Sequence, residues 1–176
     1  MNSLLTKIKL IDHLVVELDI DKTTFISKLK ARMDESDLGW FSDSFDVFSS
    51  SKNDYKGQVS LDGFKIKKRK RLFDPNMHLA IASGTFRQNN GILFVDVEIS
   101  GLPNMMVFVM AVLLFVYLTI IGNIIAGGSI RTDFPLPLFI IIYGLMMLGI
   151  PYLVMRQNVR HLKNELERDL FYFAKK

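Results

Sequence analysis

Two long apolar runs, residues 105–125 and 134–155, constrain the chain more than any other feature of its sequence. Neither run contains a charged residue, and each has the roughly 20 residues that a helix needs to cross about 30 Å of hydrocarbon. A short polar turn between them carries Arg131 and Asp133. The sequence therefore predicts an integral membrane protein with a transmembrane helical hairpin.

The hairpin divides the chain into five predicted parts. We expect a cytosolic α+β domain over residues 1–101, transmembrane helix 1 over 102–128, an extracytoplasmic turn over 129–133, transmembrane helix 2 over 134–155 and a cytosolic amphipathic helix over 156–176. The turn carries one cation, Arg131. Cations on the side of the two termini are more numerous: Arg87, Arg156, Arg160, Lys163 and Arg168. By the positive-inside rule both termini face the cytoplasm of a multi-pass cell-membrane protein.

The residues before the hairpin predict one small α+β domain. Apolar residues alternate along 10–20, which predicts a strand with one buried face. Asp21 and the threonines after it precede apolar residues at helical spacing over 25–33, which predicts a helix with an Asp or Thr cap. An Asp-Gly turn at 62–63 and an Asn-Asn-Gly turn at 89–91 predict two hairpins. The fold class is therefore α+β, with a small antiparallel sheet of about five strands and one N-terminal helix. We expect the core to contain Phe25, Leu29, Phe64, Ile66, Val95 and Val97.

The segment after the second apolar run is charged but periodic. An apolar stripe at helical spacing is formed by Val159, Leu162, Leu166, Leu170 and Phe173. Lys163 and Glu167 stand four residues apart, as in a stabilising helix pair. The sequence leaves three partners open for the stripe: the N-terminal sheet, a second copy of the chain, or the headgroup layer.

A basic run over residues 65–71 is the most conspicuous charged feature of a chain whose net charge is +4. We expect its six cations to contact anionic headgroups or an acidic partner: Lys65, Lys67, Lys68, Arg69, Lys70 and Arg71. The alternative is a solvated edge strand, in which lysines prevent edge-to-edge aggregation. We do not expect nucleic-acid binding, because no aromatic platform or reading motif accompanies the charge.

Gly122 and Ala126 stand four residues apart in the first apolar run and form a small-xxx-small pair. Such a pair lets two helices approach closely. We expect it to pack the hairpin against itself, with an oligomer contact as the alternative.

The sequence contains no pattern that indicates catalysis. It has no cysteine, so disulfides, thiolate nucleophiles and Cys-ligated metals are excluded. His13, His78 and His161 lack the spacing of a metal site. No nucleophile-elbow serine and no phosphate-binding glycine loop is present. We therefore expect a protein that is not an enzyme and uses no cofactor and no metal.

A set of turn and strand residues in the domain forms a recognisable pattern: Tyr55, Gly57, Val59, the Asp-Gly-Phe-Lys-Ile segment at 62–66, Gly84 and the Asn-Gly turn at 90–91. This pattern resembles that of a family of small, uncharacterised bacterial membrane proteins. The resemblance implies a β-rich cytosolic domain ahead of two membrane helices, and it implies no catalytic or binding residue. Separately, the strand, amphipathic helix and meander are similar to the opening of helix-grip lipid-binding domains.

Two functions are consistent with this sequence. The first is a non-enzymatic scaffold or regulatory subunit at the cytosolic face of the membrane, with the lipid bilayer, anionic headgroups and a protein partner or second copy on the terminal helix as its partners. The second is a membrane-anchored lipid or small-molecule binding module, with an apolar pocket around Trp40.

Overall fold

A computed structural model of the chain describes residues 2–36, 38, 51, 53–69, 78–101, 104–126 and 136–175. The chain divides into two compact units. Unit 1 contains Met1–Pro103 together with Met155–Lys176, and unit 2 contains Asn104–Val154. The chain therefore leaves unit 1 once and returns to it.

Unit 1 begins with a short helix, a strand and a capped helix. Helix α1 spans Asn2–Lys7, strand β1 spans Ile11–Leu18 and helix α2 spans Lys22–Ala31. The carboxylate of Asp21 accepts hydrogen bonds from the backbone N–H groups of Thr23, at 2.9 Å, and Thr24, at 3.2 Å. The predicted helix is thus present, and of the two cap residues that the sequence allowed Asp21 is the cap, because these bonds satisfy donors that the first turn of a helix leaves free.

A mixed six-stranded sheet forms the centre of unit 1. The strands that follow β1 are β2 (Met33–Glu35), β3 (Tyr55–Val59), β4 (Gly63–Lys68), β5 (Ile81–Asn89) and β6 (Ile92–Ser100). The order across the sheet is β1-β6-β5-β4-β3-β2, and every pair is antiparallel except β2 with β3.

The α+β fold class is confirmed, but two details of the prediction are wrong. The sheet is mixed rather than antiparallel, because β2 adds to it in parallel with β3. With three residues, β2 is too short to show the alternation by which strands are predicted. Within its described residues the N-terminal region also has two helices instead of one, since α1 precedes the first strand.

Both predicted hairpins are present. The second has Asn90 and Gly91 at its turn, with φ of 50° and 85°, the conformation that favours an Asn-Gly pair. In the first, the N–H of Ser60 donates to the carbonyl of Gly63 at 2.8 Å. The two loop residues are therefore Leu61 and Asp62, so the turn lies one residue earlier than predicted.

One face of the sheet carries the core of unit 1. All six predicted core residues are at most 5% exposed: Phe25, Leu29, Phe64, Ile66, Val95 and Val97. Along β6, Leu93, Val95, Val97 and Ile99 are buried on alternate positions, so one side of this strand faces the core. Helix α2 packs its buried side onto the same core.

The last helix of the chain, α4, covers the same face of the sheet. It runs over Leu136–Lys175 without a break at Pro151 or at the predicted boundary after residue 155. The residues of its apolar stripe are buried in the core of unit 1: Val159, Leu162, Leu166, Leu170 and Phe173. Of the three partners that the sequence left open, the stripe therefore packs on the sheet.

The described part of unit 2 consists of helix α3, Asn104–Ala126, and the first part of α4. The two helices touch at Tyr117, whose hydroxyl donates to the carbonyl of Ile140 at 3.1 Å. Gly144 lies against the same ring, since a Cβ built there would be 2.5 Å from the Tyr117 oxygen. By length and composition one described helical segment, Ile140–Lys175, could cross a membrane, and a shorter apolar helix covers Val107–Asn123.

Candidate functional site

The basic run lies mainly on β4, which is an interior strand of the sheet. The interpretation as a solvated edge strand is therefore wrong, because β3 and β5 pair with its two sides. Lys65 is exposed, Lys67 and Arg69 are buried, and Lys68 is partly buried. The remaining two cations of the run, Lys70 and Arg71, lie outside the described residues, as does Trp40. Contact of the run with headgroups or a partner stays a prediction.

The buried cations lie close to an acidic residue, Asp34, on the edge strand β2. In the register of the sheet, Asp34 of β2 stands beside Lys56 of β3, which in turn stands beside Lys67 of β4. Lys56 is completely buried. The carboxylate of Asp34 also lies 2.5 Å from the guanidinium of Arg69. The parallel strand β2 thus supplies a negative charge next to a row of cations.

The environment of Asp34 favours its ionised form. Burial alone would raise the pKa of this carboxyl, but hydrogen bonds from Ser51 and Asn53 and the charge of Arg69 outweigh burial and hold the pKa below its usual range. The Asn53 amide donates to Asp34 at 2.8 Å. Asp34 and Arg69 therefore remain a charged pair at neutral pH.

A polar seam connects α4 to the sheet beside the apolar stripe. We define this seam as the side chains of Tyr55, Lys68, His161, Glu165 and Asp169. The ammonium of Lys68 donates to the Glu165 carboxylate at 2.5 Å, and His161 Nδ1 lies 3.4 Å from the other oxygen of Glu165. The hydroxyl of Tyr55 donates to Asp169 at 2.7 Å. These contacts join residues 97 and 114 positions apart in sequence.

Tyr55 remains protonated in this seam. Its side chain is almost completely buried, and burial raises the pKa of the phenol; the hydrogen bond to Asp169 and the nearby carboxylates raise it further. Tyr55 therefore acts as a hydrogen-bond donor, and the Asp169 carboxylate as its acceptor.

A cleft of about 440 Å³ opens at the Tyr55 end of the seam. It is lined by Ala31, Arg32, Asn53, Asp54, Tyr55, Asp169, Tyr172 and Phe173. The guanidinium carbon of Arg32 lies 5.3 Å from the Tyr172 ring centre and 5.2 Å from that of Phe173, which is cation–π distance. The cleft thus combines a guanidinium, an amide and carboxylates, and its volume is in the range of small-molecule sites.

The opposite flank of α4 is held by a second ion pair. The ammonium of Lys163 lies 2.9 Å from the Asp12 carboxylate on β1. Burial alone would raise the pKa of Asp12, but the bonds from Lys163 and from the His13 backbone N–H outweigh it and lower the pKa. Lys163 therefore pairs across the fold with β1, where the sequence predicted a pair with Glu167.

Sequence reasoning missed the seam, although a local signal was present. His161, Glu165 and Asp169 follow one another at four-residue spacing next to the apolar stripe, so they form one flank of α4. Their partners on the sheet could not be read from the sequence. The structure also brings together two histidines with no sequence relation, His78 and His161, whose ring centres are 6.4 Å apart.

The predicted helix-packing pair has no partner among the described side chains. A Cβ built at Gly122 meets nothing within 4 Å, and Ala126 is exposed. Helix packing through Gly122 and Ala126 stays a prediction for a contact beyond the described residues or with another chain.

Comparison of the chain with protein-family models, with curated proteins and with solved structures gives no match. The resemblance to small bacterial membrane proteins therefore stays a prediction. The assignment of a function rests on the geometry of the two units alone.

Proposed function

We propose that this chain is a two-pass integral membrane protein of the cell membrane, in which α3 and the first part of α4 cross the bilayer and both termini face the cytoplasm. Unit 1 then acts at the cytosolic face as a non-enzymatic scaffold or regulatory subunit.

The observation that carries this proposal is the discontinuity of unit 1. Residues before 104 and residues after 154 pack into one unit around one core. Both ends of the apolar region must then lie on the same side of a membrane, which allows an even number of crossings. If α4 crosses, the chain has to reach its start through a second crossing, and α3 is the segment available.

The helix lengths support the same arrangement. Helix α3 has 23 residues, about 34 Å at 1.5 Å per residue. The part of α4 in unit 2 has about 28 Å of helix by the same rise. Both values are close to the thickness of a hydrocarbon core, about 30 Å. Large apolar side chains such as Phe115, Leu118 and Leu145 are more than half exposed on these helices, as lipid-facing residues would be.

Cysteine labelling tests the crossings, because the chain contains no cysteine of its own. Single cysteines replace Ser83 on β5, Thr132 between the two helices and Lys175 near the end of α4. In intact cells a membrane-impermeant maleimide is expected to label position 132 only, and all three positions after permeabilisation. Labelling of positions 83 and 132 from the same compartment would contradict the two-pass arrangement.

The scaffold role is supported by the ion pairs of unit 1, which connect different parts of its fold. The Lys68–Glu165, Arg69–Asp34 and Lys163–Asp12 pairs each connect two different elements. They therefore hold the helices and strands together. Surface apolar residues remain for a partner, since Val15 on β1 and Leu61 in the first hairpin are more than 60% exposed.

Site-specific cross-linking in native membranes tests the scaffold role. A photo-reactive residue replaces Leu61 in one variant and Ser83, an exposed polar residue of the same sheet, in the control. A regulatory subunit is expected to give one discrete cross-linked product from position 61 that competes with excess unlabelled protein. A diffuse smear of equal intensity from both positions would argue against a defined partner.

A second candidate function, a small-molecule binding module, is favoured by the cleft beside Tyr55. Its guanidinium and amide could hold a polar ligand against the Tyr172 ring. Native mass spectrometry of the full chain released from its own membranes would then show an added mass. Arg32→Gln is expected to remove this mass and Lys30→Gln, an exposed change on α2, to retain it. Equal spectra for the two variants would contradict the ligand site.

A further inference from the structure

A groove of about 430 Å³ lies on the part of α4 that belongs to unit 1. It is lined by Gln157, Arg160, His161, Asn164, Glu165 and Arg168. These positions recur at three- and four-residue spacing, so they form one side of the helix. The groove is therefore a feature of a single rigid element.

The exposed charged groups of this groove are the guanidinium groups of Arg160 and Arg168. One oxygen of the Glu165 carboxylate accepts a hydrogen bond from the ammonium of Lys68 at 2.5 Å, and this ion pair compensates its charge. Arg160 and Asn164 are exposed, and the side chain of Arg168 is 74% exposed, with only its Nε near Asp169. Guanidinium groups bind phosphate oxygens through paired N–H bonds, which ammonium groups cannot do. The groove thus matches a phosphate group.

The position of the groove along the chain identifies the source of the phosphate. Residues 134–155 contain no charged side chain, and the groove begins at Gln157, directly after them. If α4 crosses the bilayer as proposed above, Gln157 and Arg160 reach the level of the headgroups. We propose that the groove binds the phosphate of an anionic phospholipid headgroup and so fixes unit 1 at the membrane surface; this inference rests on the proposed function. It assigns headgroup binding to α4 in addition to, and independently of, the basic run on β4.

The test uses the full chain in lipid nanodiscs. Discs of neutral phosphatidylcholine are compared with discs that contain a rising fraction of phosphatidylglycerol, and the melting temperature of the protein is recorded. The wild type is expected to gain stability with a saturable dependence on the anionic lipid. Arg160→Gln with Arg168→Gln is expected to shift the half-saturating fraction at least tenfold. The control, Lys30→Gln with Lys175→Gln, removes the same charge from exposed positions elsewhere. It is expected to leave the half-saturating fraction of phosphatidylglycerol unchanged.

Three outcomes would overturn the lipid assignment. An equal shift in both double variants would mean that net charge alone attracts the lipid. An equal gain from inorganic phosphate in neutral discs would make the groove a site for the free ion. A linear gain without saturation would mean that no defined site exists.

Membrane insertion is scored separately. Protein that is washed from native membranes by alkaline carbonate would contradict the two-pass proposal itself. Protein that resists carbonate but shows no preference for anionic lipid would contradict the headgroup site alone.

Discussion

Tyr55 is the residue on which the sheet and the end of α4 meet. Its ring is in the core, while its hydroxyl binds Asp169 at 2.7 Å. Tyr55→Phe keeps the ring and removes the donor, which leaves a partly buried carboxylate without one of its partners. We expect a loss of about 1–3 kcal/mol. The melting temperature of the full chain in a non-ionic detergent measures this loss.

Tyr143→Phe is the matched control, because Tyr143 is half exposed in unit 2. An equal change in both variants would show that the hydrogen bond to Asp169 does not contribute to stability.

The Asp12–Lys163 pair predicts a pH dependence. The pKa of Asp12 is lower in the folded chain than its unfolded value of about 3.9, so the folded state binds fewer protons and is favoured at higher pH. The contribution is present above about pH 4 and is lost as the pH falls through the depressed folded value. Asp12→Asn should therefore cost up to about 1 kcal/mol at pH 7, because the pair is partly exposed, and progressively less as the pH falls through the folded pKa of Asp12.

Melting curves of wild type and Asp12→Asn across this pH range measure the effect. Asp62→Asn changes a fully exposed side chain, so its melting temperature should follow that of the wild type at every pH. A difference between wild type and Asp12→Asn that does not shrink as the pH is lowered from about 4 would contradict the role of the ionised carboxylate.

The side chains of β4 show which burial could be predicted from the sequence and which could not. The alternation of Phe64 and Ile66 with cations predicted which side chains enter the core, because a strand repeats every two residues. The same alternation suggested that Lys67 is accessible, yet it is 6% exposed. Lys67 lies on the face of the sheet opposite the core. Whether that face is buried depends on segments distant in sequence, so a local pattern does not predict it.

The apolar stripe of α4 is the element that closes unit 1. Leu166 is fully buried against the sheet, so Leu166→Ala leaves a cavity and is expected to cost about 2–5 kcal/mol. Leu153→Ala removes the same atoms from the same helix at a side chain that is 58% exposed, and should cost much less. Thermal unfolding of both variants in the same detergent gives the comparison. Equal losses would mean that the stripe does not pack on the sheet.

The contact between α3 and α4 predicts different effects at two glycines. A methyl group at Gly144 would overlap the Tyr117 ring, whereas one at Gly122 meets nothing within 4 Å. Gly144→Ala should therefore lower the melting temperature, since overpacking costs about 1–3 kcal/mol. Gly122→Ala should be neutral or gain up to about 1 kcal/mol of helix propensity. A larger loss from Gly122→Ala would instead support the predicted small-residue pair.

Helices and strands with strong periodicity could be predicted from the sequence, but the elements that they contact in the fold could not. The Asp21 cap, β1, the two hairpins and the stripe of α4 all follow from local spacing. The strand β2 has three residues and two of them are acidic, so it exists only because β3 offers an open edge. The seam likewise depends on contacts across about a hundred residues, for which a single sequence carries no signal.

At the scale of the whole molecule, unit 1 needs both ends of the chain. Deletion of residues 156–176 would expose the apolar face formed by residues such as Ile66, Val95 and Ile99, which are fully buried in the complete chain. We expect the truncated protein to aggregate or to be degraded, while Leu153→Ala in the full chain accumulates normally. Size-exclusion chromatography after detergent extraction measures the outcome. A monodisperse truncated protein with an intact sheet would show that α4 is dispensable for unit 1.

The discontinuity of unit 1 also determines the order of events during translation. By the time residue 103 has been synthesised, the six strands and α2 exist, yet the part of α4 that completes the cover of the sheet begins only at Met155. The nascent chain therefore keeps part of this apolar face uncovered while the ribosome adds the next fifty or so residues. Under the two-pass proposal those residues enter the membrane in the meantime, so unit 1 would be completed only after insertion.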